Sequence, residues 1–270
     1  MDQYRVFGNP IAQSKSPFIH QQFAVQTKQI MNYQSELAEF DQFDVAVKKL
    51  IANNGKGANV TAPFKEQAFS LCDKLSERAK LAGAVNTLIF CKTGVYGDTT
   101  DGVGLVGDLL RHQIQLRDSK VLLLGAGGAA KGVVQSLLEQ SLKSLTIANR
   151  TLSKAQAITQ QYPNDAVKAV TFAETKNLVF DIIINATSAG LSGDSLAISE
   201  QTIKSSTACY DMVYGKEPTM FLKQAKQLGV EHVVDGLGML VGQAAASFQL
   251  WRGMSPDIEP VLKSLRAQLK

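Results

Sequence analysis

The feature that most constrains the fold is an apolar run at residues 121–124, which leads directly into a glycine-rich segment and a helical pattern ending near Leu138. Four consecutive aliphatic residues are typical of a parallel strand that is buried on both faces. Further strand-like segments follow at 145–148, 182–184 and 208–210. Strands that alternate with helices in this way predict a doubly wound parallel sheet that begins near residue 120.

The turn after the first of these strands has the pattern Gly125-x-Gly127-x-x-Ala130. Glycines at these positions permit a tight turn and let a pyrophosphate approach the backbone closely. The N–H groups and the dipole at the start of the following helix attract the same phosphates. The strand, turn and helix together favour a Rossmann-type dinucleotide-binding domain over the alternative, a glycine-rich turn without a ligand.

The end of the second strand distinguishes NADP from NAD. An acidic residue there would bind the ribose 2′-hydroxyl of NAD and repel the 2′-phosphate of NADP. The chain instead has Asn149, Arg150 and Thr151, followed by Lys154. Because a guanidinium can bind a phosphate through two hydrogen bonds, this pattern predicts NADP(H). The alternative is that Arg150 and Lys154 are solvated surface charges.

The rest of the chain also alternates between strands and helices, which predicts an α/β protein of two domains with a cleft between them. Residues 1–101 plus 237–270 are expected to form an α/β substrate-binding catalytic domain, and 102–236 the Rossmann-type domain. The predicted strands outside the central sheet lie at 5–7, 57–60, 85–90 and 95–96, and the last two are expected to form a hairpin. The predicted helices lie at 16–25, 40–51, 65–71, 103–112 and 239–251. The helix at 40–51 is expected to place Phe40, Phe43, Val47, Leu50 and Ile51 on one face, and the helix at 103–112 to place Val103, Val106, Leu109 and Leu110 on one side.

Charge and composition exclude several classes of protein. Lys and Arg number 28 and Asp and Glu 24, and the net charge of 28 − 24 = +4 is too small to hold a nucleic acid by itself. The cysteines and histidines are scattered without metal-ligand spacing, so no metal site is expected. They are Cys72, Cys91, Cys209, His20, His112 and His232.

No signal peptide or membrane span is recognised in the sequence. The N-terminus lacks a basic segment followed by an apolar core, and the charge-free stretch 236–251 is too short to cross a bilayer. We therefore expect a cytoplasmic protein, a monomer or a homodimer, that binds small molecules and neither nucleic acid nor membranes.

Two residues are candidates for proton transfer. Lys65 follows a predicted strand and lies in the first turn of a predicted helix, where a cation opposes the helix dipole. Asp101 begins another helix, but it could equally be the N-cap of that helix. Ser14 and Ser16 are similarly ambiguous: Ser16 is a good N-cap, and two hydroxyls at a helix start also suit a carboxylate ligand.

Several motifs together resemble the shikimate dehydrogenase family over nearly the whole chain and in the same order. They are VFGNPI at 6–11, SKSP at 14–17, GANVTAPFK at 57–65, GAVNT at 83–87, TDG at 100–102, GAGGA at 125–129, NRT at 149–151, NATS at 185–188 and DGLGML at 235–240. The resemblance implies reversible, NADPH-dependent reduction of 3-dehydroshikimate to shikimate, a step towards chorismate and the aromatic amino acids. It also implies that Lys65 and Asp101 form the catalytic pair.

The resemblance further implies which residues bind the ligands. The substrate contacts would be Ser14, Ser16, Thr61, Asn86, Asp101, Tyr214 and Gln243. The cofactor contacts would be Gly125, Ala126, Gly127, Gly128, Ala129, Asn149, Arg150, Thr151, Lys154, Met212 and Gly236. The alternative interpretations are structural: a turn residue for Asn86, a half-buried aromatic for Tyr214 and a polar residue on a core helix for Gln243.

The chain departs from the family pattern at Thr99, where the family usually has Asn, and more mildly at Ala62, where Val is common. Thr99 puts the geometry beside Asp101 in doubt. Three other functions stay open: a relative that acts on quinate or uses NAD, a protein that binds NADP and a carboxylate without turnover, and a reductase of another small carbonyl compound. An acid after the second strand would favour the NAD-dependent relative, and none is present.

Overall fold

Residues 1–163, 165–187 and 196–269 are described by a computed structural model, apart from the side chain of Asn177. They divide into two compact units. The N-terminal unit comprises Met1–Gly104 and Leu240–Leu265, and the central unit comprises Leu105–Met239 with the residues from Arg266 onward. Both units combine strands with helices, which confirms the predicted α/β class.

The strands are β1 Asp2–Gly8, β2 Met31–Leu37, β3 Gly55–Val60, β4 Lys74–Leu75, β5 Thr87–Cys91, β6 Gly94–Asp98, β7 Lys120–Leu124, β8 Ser144–Ala148, β9 Val167–Val170, β10 Ile182–Asn185, β11 Ala208–Asp211 and β12 His232–Asp235. The helices are α1 Ser16–Gln26, α2 Phe43–Ala52, α3 Lys65–Ser70, α4 Glu77–Ala82, α5 Asp101–Arg111, α6 Gly128–Leu138, α7 Leu152–Thr159, α8 Glu200–Lys204, α9 Met220–Gln227, α10 Leu237–Arg252 and α11 Glu259–Leu269. A short 3-10 helix covers Ala173–Asn177.

The sheet of the N-terminal unit brings together the segments that carry the predicted substrate residues. Its strands, among the described residues, are ordered β2-β1-β3-β5-β6-β4. β1 and β3 are parallel, and β5 is antiparallel to both β3 and β6, which confirms the predicted hairpin. The carboxyl ends of β1, β3 and β6 and the start of β5 therefore lie at one edge of the sheet. Ser14, Lys65, Asn86 and Asp101 all follow or precede strands at that edge.

The core beside this sheet is partly aromatic. The rings of Phe43 and Phe64 stack with their centroids 4.8 Å apart, and Phe7 meets Phe43 edge to face. The predicted helix at 40–51 is wrong at its start, since α2 begins at Phe43. Phe43, Val47 and Leu50 are buried on one face, whereas the predicted core residues Phe40 and Ile51 are exposed. Phe40 lies before the helix, and Ile51 is turned about 100° away from Leu50.

Helix α5 corrects a second predicted face. We expected Val103, Val106, Leu109 and Leu110 on one side, but Val103 and Leu110 are exposed. The buried residues are Leu105, Val106 and Leu109. Leu105 and Leu109 are four residues apart and so lie on the same face of the helix. The predicted face is therefore rotated by about one residue, or about 100°, from the buried face.

The central unit contains a parallel sheet in the order β12-β11-β10-β7-β8-β9, counted over the described residues. Numbered within the unit, this order is 6-5-4-1-2-3, the doubly wound Rossmann topology that the sequence predicted. The strand order reverses between β7 and β10, where Leu124 pairs with Asn185. In sheets of this kind a crevice for ligands lies at the carboxyl ends of the strands at that point.

None of the helices that can be described has the length and apolar character needed to cross a membrane. A search of the same residues finds no group of three or more His, Cys, Asp or Glu side chains arranged to hold a metal ion.

His20 is a polar group inside the core of the N-terminal unit. Its side chain is fully buried on α1, its ring stacks on Tyr33 at 4.1 Å and it lies 5.3 Å from Trp251. Neither ring nitrogen has a hydrogen-bond partner among the described residues. Burial lowers the pKa of His20 to about 3, although nearby Asn59 opposes part of this shift. The ring is therefore neutral in the folded protein at any pH near 7.

We expect His20 to make the N-terminal unit sensitive to acid. The folded pKa is lower than the unfolded value of about 6.5, so its contribution is complete above pH 6.5 and is lost as the pH falls towards 3. Between pH 7 and pH 5 the loss is about 2 kcal/mol, since each unit below 6.5 costs about 1.4 kcal/mol. Urea unfolding followed by the fluorescence of Trp251, the single Trp, should show His20→Phe losing this part of the acid sensitivity.

His232→Gln is the matched control, because His232 is partly exposed on β12 in the other unit. That variant should keep the full difference in unfolding free energy between the two pH values. Equal pH dependence of the His20→Phe and native proteins would contradict the assignment.

Candidate active site

Lys65 and Asp101 form an ion pair at one edge of the N-terminal sheet. At this edge, the substrate edge, β1, β3 and β6 end and the predicted substrate residues of this unit lie. Lys65 is the first residue of α3 and Asp101 the first residue of α5. Lys65 Nζ lies 2.5 Å from Asp101 Oδ2, and the side chains are 19% and 9% exposed. Asp101 lies inside its helix with its carboxylate directed to other side chains, which disfavours the interpretation as a simple N-cap. The pair combines a cation that can give up a proton with a fixed carboxylate beside it.

Asn86 holds the other oxygen of the Asp101 carboxylate. Its Oδ1 accepts the backbone N–H of Thr100 at 2.9 Å and the Thr87 hydroxyl at 2.7 Å. A backbone N–H can only donate, so the amide cannot be turned the other way. Its Nδ2 then donates to Asp101 Oδ1 at 2.9 Å and lies 3.3 Å from Gln243 Oε1. Asn86 is thus more than a turn residue: its fixed amide orients Asp101.

A buried cluster of hydroxyls lies behind Asn86, and sequence analysis did not identify it. Ser247 Oγ lies 2.8 Å from Thr87 Oγ1 and 3.1 Å from Thr100 Oγ1. Asn59 Nδ2 donates to Ser247 at 3.0 Å. Ser247 is four residues after Gln243 on α10, so one helix presents both residues to the network. The cluster contacts the Asn86 amide through the hydroxyls of Thr87 and Thr100.

Tyr33 extends this network towards the start of α1. Its hydroxyl donates to Asn59 Oδ1 at 2.7 Å. Burial raises the pKa of Tyr33 well above 10, and a hydrogen bond with Ser16 opposes the rise. Tyr33 was not predicted to belong to the site. It lies on β2, a strand that sequence analysis missed.

Ser14, Ser16 and Thr61 lie at the same edge. The expectation that Ser16 caps α1 is wrong: the helix begins at Ser16, and Lys15 occupies the N-cap position without a side-chain bond. Ser14 Oγ instead accepts the Ser16 N–H at 3.3 Å. Thr61 follows β3, and its N–H donates to the Phe7 carbonyl at 2.9 Å. The Ser14 and Ser16 hydroxyls therefore belong to a helix start, where an anion is stabilised.

Thr99, the departure from the family pattern, fits without backbone strain. It is buried, its φ is not positive, and its N–H donates to Asp98 Oδ1 at 2.7 Å. The backbone does not need the left-handed geometry that Asn tolerates more easily than Thr. Asp101, two residues later, is held by Lys65 and Asn86.

The glycine-rich turn of the central unit fits a dinucleotide. Gly125 has φ +107°, and a Cβ there would lie 3.2 Å from the Ala186 carbonyl oxygen, so the fold itself requires glycine. Gly127 and Gly128 are different: a Cβ at either would have no protein atom within 4 Å, and Gly127 has an ordinary φ of −86°. Packing does not require glycine at these two positions, whereas a ligand that approaches the backbone does.

The segment after β8 carries the predicted basic residues. Asn149 Nδ2 donates to the Thr151 carbonyl at 2.9 Å, which shapes the turn before α7. Arg150 and Lys154 are both exposed. No ion pair or hydrogen bond of either side chain is found among the residues that the structure describes. Their charges are available to an anionic ligand at the carboxyl end of β8.

Met212, Tyr214 and Gly236 lie after β11 and β12 in the central unit. A Cβ on Gly236 would overlap the backbone of Met212, so the two segments meet with no room for a side chain. Burial raises the pKa of Tyr214, which is partly buried.

Asp211, which directly precedes Met212 and was not singled out from the sequence, is buried and accepts the Thr219 hydroxyl at 2.7 Å. Burial raises the pKa of its carboxyl group. Ser188 of the NATS motif lies outside the described residues.

The Rossmann strand order, the glycine turn at the switch point and the free basic residues after β8 define a dinucleotide-binding α/β protein. Comparison with known proteins specifies the family. Family models match at residues 6–88 (shikimate dehydrogenase substrate binding domain), 108–209 (shikimate / quinate 5-dehydrogenase) and 236–266 (shikimate 5′-dehydrogenase C-terminal domain). The shikimate dehydrogenase (NADP(+)) of Colwellia psychrerythraea is 54% identical over 100% of this chain and 98% of its own length.

The chain belongs to the shikimate dehydrogenase family, as its motifs predicted. Two solved structures are similar to this chain over its whole length. A shikimate 5-dehydrogenase from Thermus thermophilus in complex with NADP(H) and shikimate is 30% identical, with a TM-score of 0.89 and full coverage of both chains. An Ael1 enzyme from Pseudomonas putida is 38% identical, with a TM-score of 0.95 and full coverage of both chains.

Proposed function

We propose that this protein catalyses the reversible, NADPH-dependent reduction of 3-dehydroshikimate to shikimate, a step in chorismate and aromatic amino acid biosynthesis. Full-length relatives that are more than half identical bear the name shikimate dehydrogenase (NADP(+)). The observation that most supports turnover in this chain is the Lys65–Asp101 pair, fixed by Asn86 at the substrate edge of the N-terminal sheet. A protein that only sensed its ligands would not need an acid–base pair there.

Bound NADPH supplies a hydride to the carbonyl carbon of the substrate. The Lys65 ammonium gives its proton to the carbonyl oxygen as negative charge develops there, and the product is the alcohol. Asp101 keeps the ammonium in place, because its carboxylate accepts from Lys65 on one oxygen and from Asn86 on the other. Lys65 is partly exposed and so regains a proton from water. In the reverse direction the neutral amine takes the proton of the alcohol.

The substrate is a ring with a carboxylate and several hydroxyls, and the proposed contacts match its groups. Ser14 and Ser16 at the start of α1 would bind the carboxylate. Tyr214, in the central unit, is a further proposed substrate contact. Thr61, Asn86, Asp101 and Gln243 would bind ring oxygens. Several of these side chains already hydrogen-bond to one another, and the ring oxygens would add further partners. An analogue that lacks a hydroxyl would form fewer hydrogen bonds and bind less well.

The residues for NADP(H) would lie in the central unit. The segment from Gly125 through Ala126, Gly127 and Gly128 to Ala129 would hold the pyrophosphate. Arg150 and Lys154, with Asn149 and Thr151, would bind the 2′-phosphate and the adenosine. Met212 and Gly236 would lie at the nicotinamide end. The absence of side chains at Gly127 and Gly128, where the protein has space for them, supports this assignment.

We also propose the roles of the two parts of the chain. Residues 1–101 with 237–270 would bind the substrate, and 102–236 would bind the cofactor. The net charge of +4 argues against a nucleic-acid partner, and we expect a monomer or homodimer. All three cysteines are free thiols, which is consistent with the reducing cytoplasm.

The decisive experiment follows NADPH formation by the purified protein with shikimate and NADP⁺. The same measurement is made with quinate in place of shikimate and with NAD⁺ in place of NADP⁺, so that all four combinations are compared. We expect the highest kcat/KM with shikimate and NADP⁺. A higher value with quinate or NAD⁺ would establish the broader relative, and binding of NADPH without turnover of any substrate would establish a sensor.

A further inference from the structure

Asp98 is a buried carboxylate outside the proposed contacts, three residues before Asp101. Its side chain is 4% exposed, and it ends strand β6. A carboxylate this deeply buried is tolerated only when donors replace the water around it. Four donors do so here, and they come from three residues: Ser76, Arg78 and Thr99.

Arg78 binds the carboxylate through two parallel hydrogen bonds. Its Nε donates to Asp98 Oδ1 at 2.7 Å and its Nη2 to Oδ2 at 2.8 Å. The Ser76 hydroxyl donates to Oδ1 at 2.5 Å and also caps α4, since it accepts the Ala79 N–H at 3.2 Å. The pair is thus anchored to the first turn of α4. A bidentate guanidinium fixes direction as well as distance.

The same carboxylate is bound to the segment that carries Asp101. Asp98 Oδ1 accepts the Thr99 N–H at 2.7 Å, which sets the direction in which the chain leaves β6. The Asp98 carbonyl accepts the Asn86 N–H at 3.1 Å. The Asn86 backbone is therefore hydrogen-bonded to Asp98, and Asp101 follows three residues after Asp98. The side-chain hydrogen bond from Asn86 Nδ2 to Asp101 Oδ1 joins these two positions.

We propose that Arg78 and Asp98 are positioning residues for the reaction, since this pair sets the backbone from which Asn86 and Asp101 reach Lys65 and the substrate. The proposal rests on the proposed function. Neither residue touches the reacting atoms. Loss of the guanidinium leaves a buried charge uncompensated, and the segment 98–101 must then move to hydrate it.

The test is a double-mutant cycle on Arg78→Met and Asp98→Asn. Each single change should lower kcat with shikimate at least tenfold and leave the Kd of NADPH within twofold, because the cofactor loop lies in the other unit. Arg78→Lys, which keeps the charge but not the bidentate geometry, should recover part of the loss. If Arg78 acts through Asp98, the double variant should be no more than about threefold slower than the slower single variant.

Arg252→Met is the matched control. Arg252 pairs with Asp2 and binds Gln29 through two nitrogens, in the same unit but away from the proposed contacts. This variant should lose stability comparably and keep kcat within twofold. A kcat for Arg78→Met within twofold of the native value, or losses that multiply in the double variant, would overturn the proposal. If Arg78→Met does not fold, the kcat values of Asp98→Asn and Arg78→Lys test the proposal in its place.

A second readout does not depend on turnover. Amide hydrogen exchange of the segment 98–104 should become faster in Arg78→Met and stay unchanged in Arg252→Met. If the native protein does not oxidise shikimate, the proposed function fails, and hydrogen exchange still decides whether the pair holds this segment. Unchanged exchange in Arg78→Met would refute the positioning role on its own.

Discussion

Lys65→Met should lower kcat with shikimate by about 100-fold or more, the usual effect of losing a general acid–base group. This corresponds to at least about 2.7 kcal/mol of transition-state stabilisation. The reason is specific to the geometry: Lys65 Nζ is held 2.5 Å from Asp101, so its proton is delivered from a fixed point. The Kd of NADPH should stay within twofold, because Lys65 lies in the N-terminal unit.

Lys48→Met is the matched control for this result. It removes another lysine that pairs with an aspartate, Asp44, at 3.0 Å in the same unit, but on an exposed surface. Exposed ion pairs of this kind contribute little to the free energy of unfolding, so stability and kcat should both stay near the native values. If a folded Lys65→Met protein turned over shikimate at a near-native rate, Lys65 would have no part in the proton transfer.

Arg150→Ala should weaken the binding of NADPH by about 1.5–3 kcal/mol, the range for a hydrogen bond to a charged group. This is roughly a 10- to 150-fold rise in Kd. Arg150 is exposed after β8, where a Rossmann domain meets the adenosine ribose. The binding of NADH, which lacks the 2′-phosphate, should change by less than about threefold. Titration calorimetry with both cofactors measures the two effects.

Arg117→Ala provides the comparison for Arg150. Arg117 is also an exposed arginine of the central unit, but it precedes β7 and so lies towards the amino ends of the strands. Its removal should leave the Kd of NADPH within about twofold. Equal losses for NADPH and NADH in Arg150→Ala would mean that the guanidinium contacts adenine or supports the turn, and the 2′-phosphate would need another partner.

The sequence predicted the central sheet well because its inner strands are continuous apolar runs. β7 and β10 are buried along almost their whole length, and continuous apolar runs of this kind indicate strands. The strands that were missed are polar or short. β2 reads MNYQSEL and lies at an edge of its sheet, and β12 has only four residues. Edge strands bury one side or less, so the alternation that marks a strand is weak.

The proposed site was predictable only in part. Lys65 and Asp101 were candidates because of their positions at predicted helix starts, and the family resemblance joined them as a pair and added Asn86. The structure brings Asp101 into direct contact with both Lys65 and Asn86. Ser247, Thr87 and Asn59 could not be found from the sequence. Ser247 lies 160 residues from Thr87 and 188 residues from Asn59 along the chain. The sequence pattern also does not distinguish the serine or threonine of this cluster from any other buried serine or threonine. The helix starts were less certain still, as Ser16 shows, because caps depend on backbone angles that neighbouring residues decide.

The order of the units along the chain has a consequence for synthesis on the ribosome. Domains fold as their residues emerge, at about 5–20 residues per second. The central unit is nearly continuous, but the N-terminal unit needs 240–265 to be complete. Ser247, which closes the hydroxyl cluster, and Trp251, whose Nε1 binds the Leu88 carbonyl at 3.0 Å, are both among these late residues. The nascent first 104 residues must therefore wait, with part of their apolar surface uncovered, while the whole central unit is made.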